Sequence, residues 1–204
     1  MKYLPPDLLD RLADGQRHQG IVAKVVAFSY LSFDELPKAI STNSGLVWIL
    51  ILDGLTDPRN FGALMRTAES VGIRHVLIPK DRAVAVTPTV VKASAGAAHY
   101  LNIYRTTNLR RAIAHLKELG FWIVGLDTKA PEAIYDRAYP RRLGIVLGSE
   151  GGGIRPLILR GAIILHLYRW KAKSPRLTLR SPEPSFFMSC CAKHVRIDNE
   201  GTKG

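Results

Sequence analysis

Two cysteines, Cys190 and Cys191, are all that the 204 residues contain, and they are adjacent. That leaves no disulfide framework and no zinc-ligand spacing. The longest apolar run, Leu46 to Leu52, is far short of the ~20 residues a membrane span needs. Met1-Lys2-Tyr3-Leu4-Pro5-Pro6 has no apolar signal-peptide core. A soluble, cytoplasmic protein is the expectation. The six histidines include no spaced metal pair, so no metal is expected, and Ser94 and Ser149 have no adjacent His-acid arrangement. Acids are few as well, 17 against 29 Lys and Arg, a net charge of +12. Such an excess favours polyanionic partners, nucleic acid above all.

What is present reads as a folded domain. Hydrophobic residues at 47% and charged ones at 23% are ordinary globular usage. Apolar runs at 46–52, 74–78, 101–104, 121–126 and 143–147 predict buried strands, with helical stretches at 61–71, 87–97 and 107–119 between them. The alternation predicts an α/β domain with a mostly parallel sheet flanked by helices. Ahead of it, residues 7–14 and Phe33 to Ile40 read as short helices, separated by an apolar stretch from Ile21 to Tyr30. Another helix starts at Ile154-Arg155-Pro156, and a strand from Ala162 to Leu167 follows. Beyond that the periodicity fails.

Parallel α/β sheets bind ligands beyond the carboxyl ends of their strands. Three segments lie there. Asp53-Gly54-Leu55-Thr56-Asp57-Pro58-Arg59-Asn60-Phe61-Gly62 joins the first strong strand to its helix, with Asn60 placed as the helix cap and Arg66 inside the helix. A helix N-terminus offers free N–H groups to an anion; the plain alternative is a helix cap and a solvated arginine. Val146-Leu147-Gly148-Ser149-Glu150-Gly151-Gly152-Gly153 is the second, where glycines admit close backbone approach and Glu150 adds a carboxylate. Its pattern is GxxGGG, not the dinucleotide fingerprint, and the Walker Lys-Ser/Thr is absent, which disfavours a nucleotide-dependent oxidoreductase. A simple glycine turn is the alternative. Gly125-Leu126-Asp127, the third, lines the same crevice or is an ordinary strand exit.

Together these segments resemble the SpoU (TrmH-like) RNA ribose 2′-O-methyltransferases of the SPOUT superfamily, over roughly residues 16–161. One family motif stands here as Asn60…Arg66-Thr67-Ala68…Gly72, the other as Ile145-Val146-Leu147-Gly148-Ser149-Glu150-Gly151-Gly152-Gly153-Ile154-Arg155. Arg17-His18-Gln19-Gly20, Leu52-Asp53-Gly54-Leu55-Thr56-Asp57-Pro58 and Pro79-Lys80-Asp81-Arg82 are similar to the branch that modifies a guanosine of large-subunit ribosomal RNA. The resemblance implies a homodimer whose C-terminal trefoil knot holds S-adenosylmethionine, an exception to the rule against knots. It implies Asn60, Arg66 and Glu150 as catalytic residues. Gly125, Leu126, Gly148 and Ser149 would then lie against the cofactor, and Arg59, Lys80 and Arg82 against RNA, ribosomal or transfer. The family mechanism often makes the arginine a base, but a guanidinium with a pKa above ~12 is not deprotonated in proteins. Binding a phosphate while acidifying the ribose hydroxyl suits Arg66 better.

Two stretches depart from the family. Residues 1–15 read as a linker or the remnant of an N-terminal RNA-binding domain, residues 16–161 as the methyltransferase domain, and residues 162–204 as an atypical basic tail. The tail holds 8 Lys and Arg against 3 acids, the rest of the chain 21 against 14, and the tail carries both cysteines. The family's third motif, roughly I-P-M-x-G-x-x-x-S-L-N-V, is missing there. Back-translated and read one base earlier, Tyr168 to Ser174 permits I-P-M-E-G-K-V, and Pro175 to Arg180 permits A-S-L-N-V. Glu183 to Lys193 permits G-A-V-L-F-Y-E-L-L-R-K, with the single Met codon restricting the options. The tail is therefore expected to be a frameshifted knot segment, the alternative being a divergent basic arm. Loss of the cofactor site would leave an inactive RNA-binding relative.

Overall fold

The computed structural model describes residues 2–15, 18–23, 27–41, 45–126, 139–149 and 152–160. The expected knot, the strand at 162–167 and the tail lie outside the described residues. So do Arg17, Asp127 and Glu150.

Six parallel strands form one sheet in the order β1-β4-β3-β2-β6-β5. They are β1 (Leu31–Ser32), β2 (Val47–Asp53), β3 (His75–Pro79), β4 (Asn102–Thr106), β5 (Trp122–Leu126) and β6 (Arg142–Gly148). The helices are α1 (Pro6–Leu12), α2 (Leu36–Ser41), α3 (Pro58–Ser70), α4 (Pro88–Ala93), α5 (Leu109–Glu118) and α6 (Pro156–Leu159). The mostly parallel α/β architecture read from the sequence is the one observed.

Every residue of β2 is buried, because β2 lies centrally with apolar layers on both faces. Period-2 alternation sorts its side chains. Trp48, Leu50 and Leu52 join Phe61, Leu64, Met65 and Ala68 of α3 and Val90 of α4. Val47, Ile49 and Ile51 join Leu36 and Ile40 of α2, Ile113 and Leu116 of α5 and Ile158 of α6. Helices therefore cover both faces. Where α3 crosses α4, a Cβ added at Gly62 would lie 2.5 Å from Ala93 Cβ and 2.9 Å from Ser94 N. Only glycine lets the two helices pass this closely.

Several elements differ from expectation. The helix predicted over 87–97 stops at Ala93, because Ala95 (φ 51) and Gly96 (φ 85) turn left-handed, and a 3-10 turn, Ala97–Tyr100, replaces its end. Phe33 to Ile40 is a 3-10 turn, Phe33–Glu35, running into α2, and Ser32 with Glu35 forms a capping box on that turn. Within the 21–30 stretch, the described residues form no regular element. Asn60 is not the cap of α3. Asp57 is, its side chain accepting from Arg59 N at 2.8 Å, with Pro58 in the first helical position.

His75 on β3 is buried, its Nδ1 3.2 Å from the Tyr104 hydroxyl on β4. Burial lowers the His75 pKa below 6.5 and, with a smaller contribution from Glu35, raises that of Tyr104 to about 12. Protonated His75 is thus disfavoured in the folded state, and the unfolded chain binds the proton more readily. Stability is expected to be intact above pH 6.5 and to fall as the pH drops below it. Thermal unfolding of wild type and His75→Gln across that range checks this: the variant's dependence should be flatter.

Candidate functional site

The carboxyl ends of the strands carry the residues singled out by sequence. From β3 across to β5 they run from Lys80, just past β3, through Asp53 and Gly148 to Leu126. Register pairs Asp53 with Gly148 and Leu126 with Leu147, so Gly125, Leu126, Gly148 and Ser149 lie together on neighbouring strand ends. The loop after β6 closes at once, Ser149 N donating to Gly153 O at 3.0 Å and Gly153 N to Ser149 O at 2.9 Å. Ser149 Oγ also accepts from Gly152 N at 3.2 Å. Gly148 sits under this turn so closely that a Cβ there would overlap the Gly153 carbonyl group and Ile154 N. The glycine is a packing requirement of the turn.

Cation placement follows from helix geometry. Arg59 and Arg66 are seven residues apart on α3 and share a stripe about 10 Å long. Both are exposed, while Asn60, rotated off that stripe, is half-buried. The structure therefore separates Asn60 from Arg66 around the helix. Lys80 and Arg82 are exposed on the loop after β3. Val84 N, donating to Leu55 O at 3.0 Å, ties this loop to the one after β2. Arg82 is held at φ 57, a left-handed conformation that costs a non-glycine residue on the order of 1 kcal/mol. Glu150, the third expected catalytic residue, lies outside the described residues.

One feature of the site was not singled out from sequence. Asp53, at the end of an otherwise apolar strand, is 1% exposed. Its Oδ1 accepts from Arg155 Nε at 2.7 Å and lies 2.6 Å from Arg155 Nη2; its Oδ2 accepts from Arg155 N at 2.8 Å. This clamp fastens the end of the glycine loop to the strand beside Gly148. A carboxylate at the end of a buried strand demands a cation or several N–H donors, which was the available signal. Among the described residues no group of three or more His, Cys, Asp and Glu could hold a metal ion. No helix among them is long and apolar enough to cross a membrane.

Comparison with known proteins places this arrangement. The model of the SpoU rRNA methylase family matches residues 48–166. The Bacillus subtilis (strain 168) protein YacO, named for the TrmH family of tRNA/rRNA methyltransferases, is 44% identical over 158 residues, 78% of this chain and 63% of the relative. A Staphylococcus haemolyticus protein named for the same family is 41% identical over the same shares. The chain thus spans about 63% of the length of the curated relatives it matches. A TrmH-family RNA methyltransferase structure from Porphyromonas gingivalis superposes with a TM-score of 0.59 at 26% identity, over 73% of this chain and 59% of that one. The AdoMet complex of the SpoU methyltransferase AviRb from Streptomyces viridochromogenes shares the fold, with a TM-score of 0.64 at 16% identity, over 74% and 59%. With the family model matching more than half of its length, the chain belongs to the SpoU rRNA methylase family.

Proposed function

We propose that this chain carries the catalytic domain of an S-adenosylmethionine-dependent RNA ribose 2′-O-methyltransferase, acting as a homodimer on a guanosine of large-subunit rRNA. The observation that carries the reading is the meeting of both motif segments at one sheet edge, with Gly148 registered against Asp53 where the chain turns into α3. Gly125, Leu126, Gly148 and Ser149 would hold the cofactor, being brought together on adjacent strand ends by the β5–β6 register. Held by these residues, S-adenosylmethionine would supply the electrophilic methyl group and a neutral thioether as its leaving group. Arg66 holds an RNA phosphate and stabilises the developing 2′ alkoxide, while the hydroxyl proton passes to solvent. Asn60 and Glu150 orient the ribose, and Arg59, Lys80 and Arg82 hold the flanking backbone.

In a chain with the family's third motif intact, Arg66→Ala is expected to lower methyl transfer by about 100-fold or more, the scale of a lost transition-state contact. Arg66→Lys should restore only a fraction, since a point charge lacks the planar fork. Transfer of labelled methyl groups to rRNA, followed by nucleoside analysis, measures both. Equal rates in wild type and Arg66→Ala would remove Arg66 from the site.

We further propose that residues 162–204 are a frameshifted form of the family's third motif. The family match ends at residue 166, which supports a break close to that point. As written, the chain then lacks the segment that closes the cofactor site and completes the dimer. It would bind S-adenosylmethionine and its own copy weakly and behave as an inactive RNA-binding relative. Resequencing the coding DNA from the Gly148 codon onward tests this. A one-base slip supports it, and an unbroken frame contradicts it.

A further inference from the structure

Beside the proposed RNA-binding loop is a cation that the family motifs do not include. Arg105 lies on β4, two residues beyond Ile103, so it shares the sheet face covered by α3 and α4. Its guanidinium carbon sits 3.5 Å from the centroid of the Tyr30 ring. Its Nε is buried and has no hydrogen-bond partner among the described residues, and no ion pair there engages the group. A stack on tyrosine positions a guanidinium but satisfies none of its N–H donors. Nε is closed to solvent, so an acceptor from outside meets this half-buried cation at the exposed part of its guanidinium.

The surroundings say what kind of acceptor. Arg105 pairs in register with Ile78 on β3, and the next pair, Pro79 with Thr106, brings the chain to Lys80, whose N donates to Thr106 O at 2.8 Å. The Tyr30 hydroxyl accepts from Val86 N at 2.6 Å, which ties the stacking ring to the end of the Lys80–Arg82 loop. Arg105 thus lies on the strand end to which Lys80 is bonded, and its stacking partner Tyr30 is tied to the segment that follows Arg82. From these contacts we infer that Arg105, held flat by Tyr30, is a phosphate-binding site that extends the RNA track from Lys80 and Arg82 along the β3–β4 end of the sheet. The ligand is a phosphodiester of the substrate RNA. The inference rests on the RNA reading of the site.

The test is fluorescence anisotropy of a fluorescein-labelled RNA stem-loop with the full chain, titrated at several salt concentrations. Loss of one phosphate contact lowers the slope of log K against log salt by about 0.7–0.9. Arg105→Gln should show that drop, and Arg105→Lys should keep the wild-type slope. A slope unchanged in Arg105→Gln, when Lys80→Gln lowers it, overturns the Arg105 site and leaves the RNA reading standing. No RNA binding by wild type overturns both. Phenylglyoxal labelling of the unmutated protein covers the case of a misfolded variant: RNA should protect Arg105, and unchanged labelling overturns the site.

Discussion

Replacing Gly148 with alanine is expected to cost about 3 kcal/mol or more, because the added methyl overlaps backbone rather than a mobile side chain. The atoms in the way are the Gly153 carbonyl group and Ile154 N, and the Ser149–Gly153 hydrogen bonds hold them in place. Either the turn opens or the end of β6 separates from Asp53. Each route dismantles the same edge of the sheet. A change of that size lowers the Tm of a domain this long by roughly 6–12 °C. Gly152→Ala supplies the control: its Cβ would meet only Ser149 Oγ, at 3.0 Å, which a rotamer change relieves. A Tm for Gly148→Ala within about 2 °C of wild type would show that the turn is looser than described.

Loss of the Asp53–Arg155 clamp is the second large effect. Arg155→Ala removes the two side-chain contacts, from Nε and Nη2, and leaves the buried carboxylate with only the backbone N–H of residue 155. Breaking a buried pair from one side costs about 3–5 kcal/mol. The Arg155 side chain is 50% exposed, so water reaches the vacated space, and about 2–3 kcal/mol is the expected loss. Adding Asp53→Asn should return part of it, because a neutral amide is less costly to strand than a carboxylate. Denaturant unfolding of the two single variants and the double variant measures the coupling. A double variant as unstable as the sum of both singles would mean that the residues act independently.

Much of the fold was legible because its strands are buried on both faces and read as continuous apolar runs. Leu46 to Leu52 anticipates β2 almost to the residue. By contrast, β1 is two residues long, Leu31–Ser32, too short for any period to register. The cap of α3 was misplaced at Asn60 although Asp57-Pro58 carries the stronger signal, an acceptor side chain followed by proline. The overrun of α4 has a similar origin: Ser94-Ala95-Gly96 breaks the helix through left-handed backbone that an apolar pattern does not reveal. Within the site, motif spacing located the strand-end glycines and the α3 arginines. It missed the partner of Asp53, because Arg155 is 102 residues away and only the sheet order brings them together. Arg105 went unnoticed for the same reason, its stack on Tyr30 joining β4 to the residue that precedes β1.

The central claim is that this sheet edge transfers a methyl group to an RNA ribose once the third motif is in place. The most direct measurement compares labelled methyl transfer to large-subunit rRNA by the chain as written and by a chain carrying the frame-restored tail. The account predicts 2′-O-methylguanosine from the restored chain and little or none from the chain as written. No transfer by the restored chain, with cofactor and RNA both bound, would contradict it.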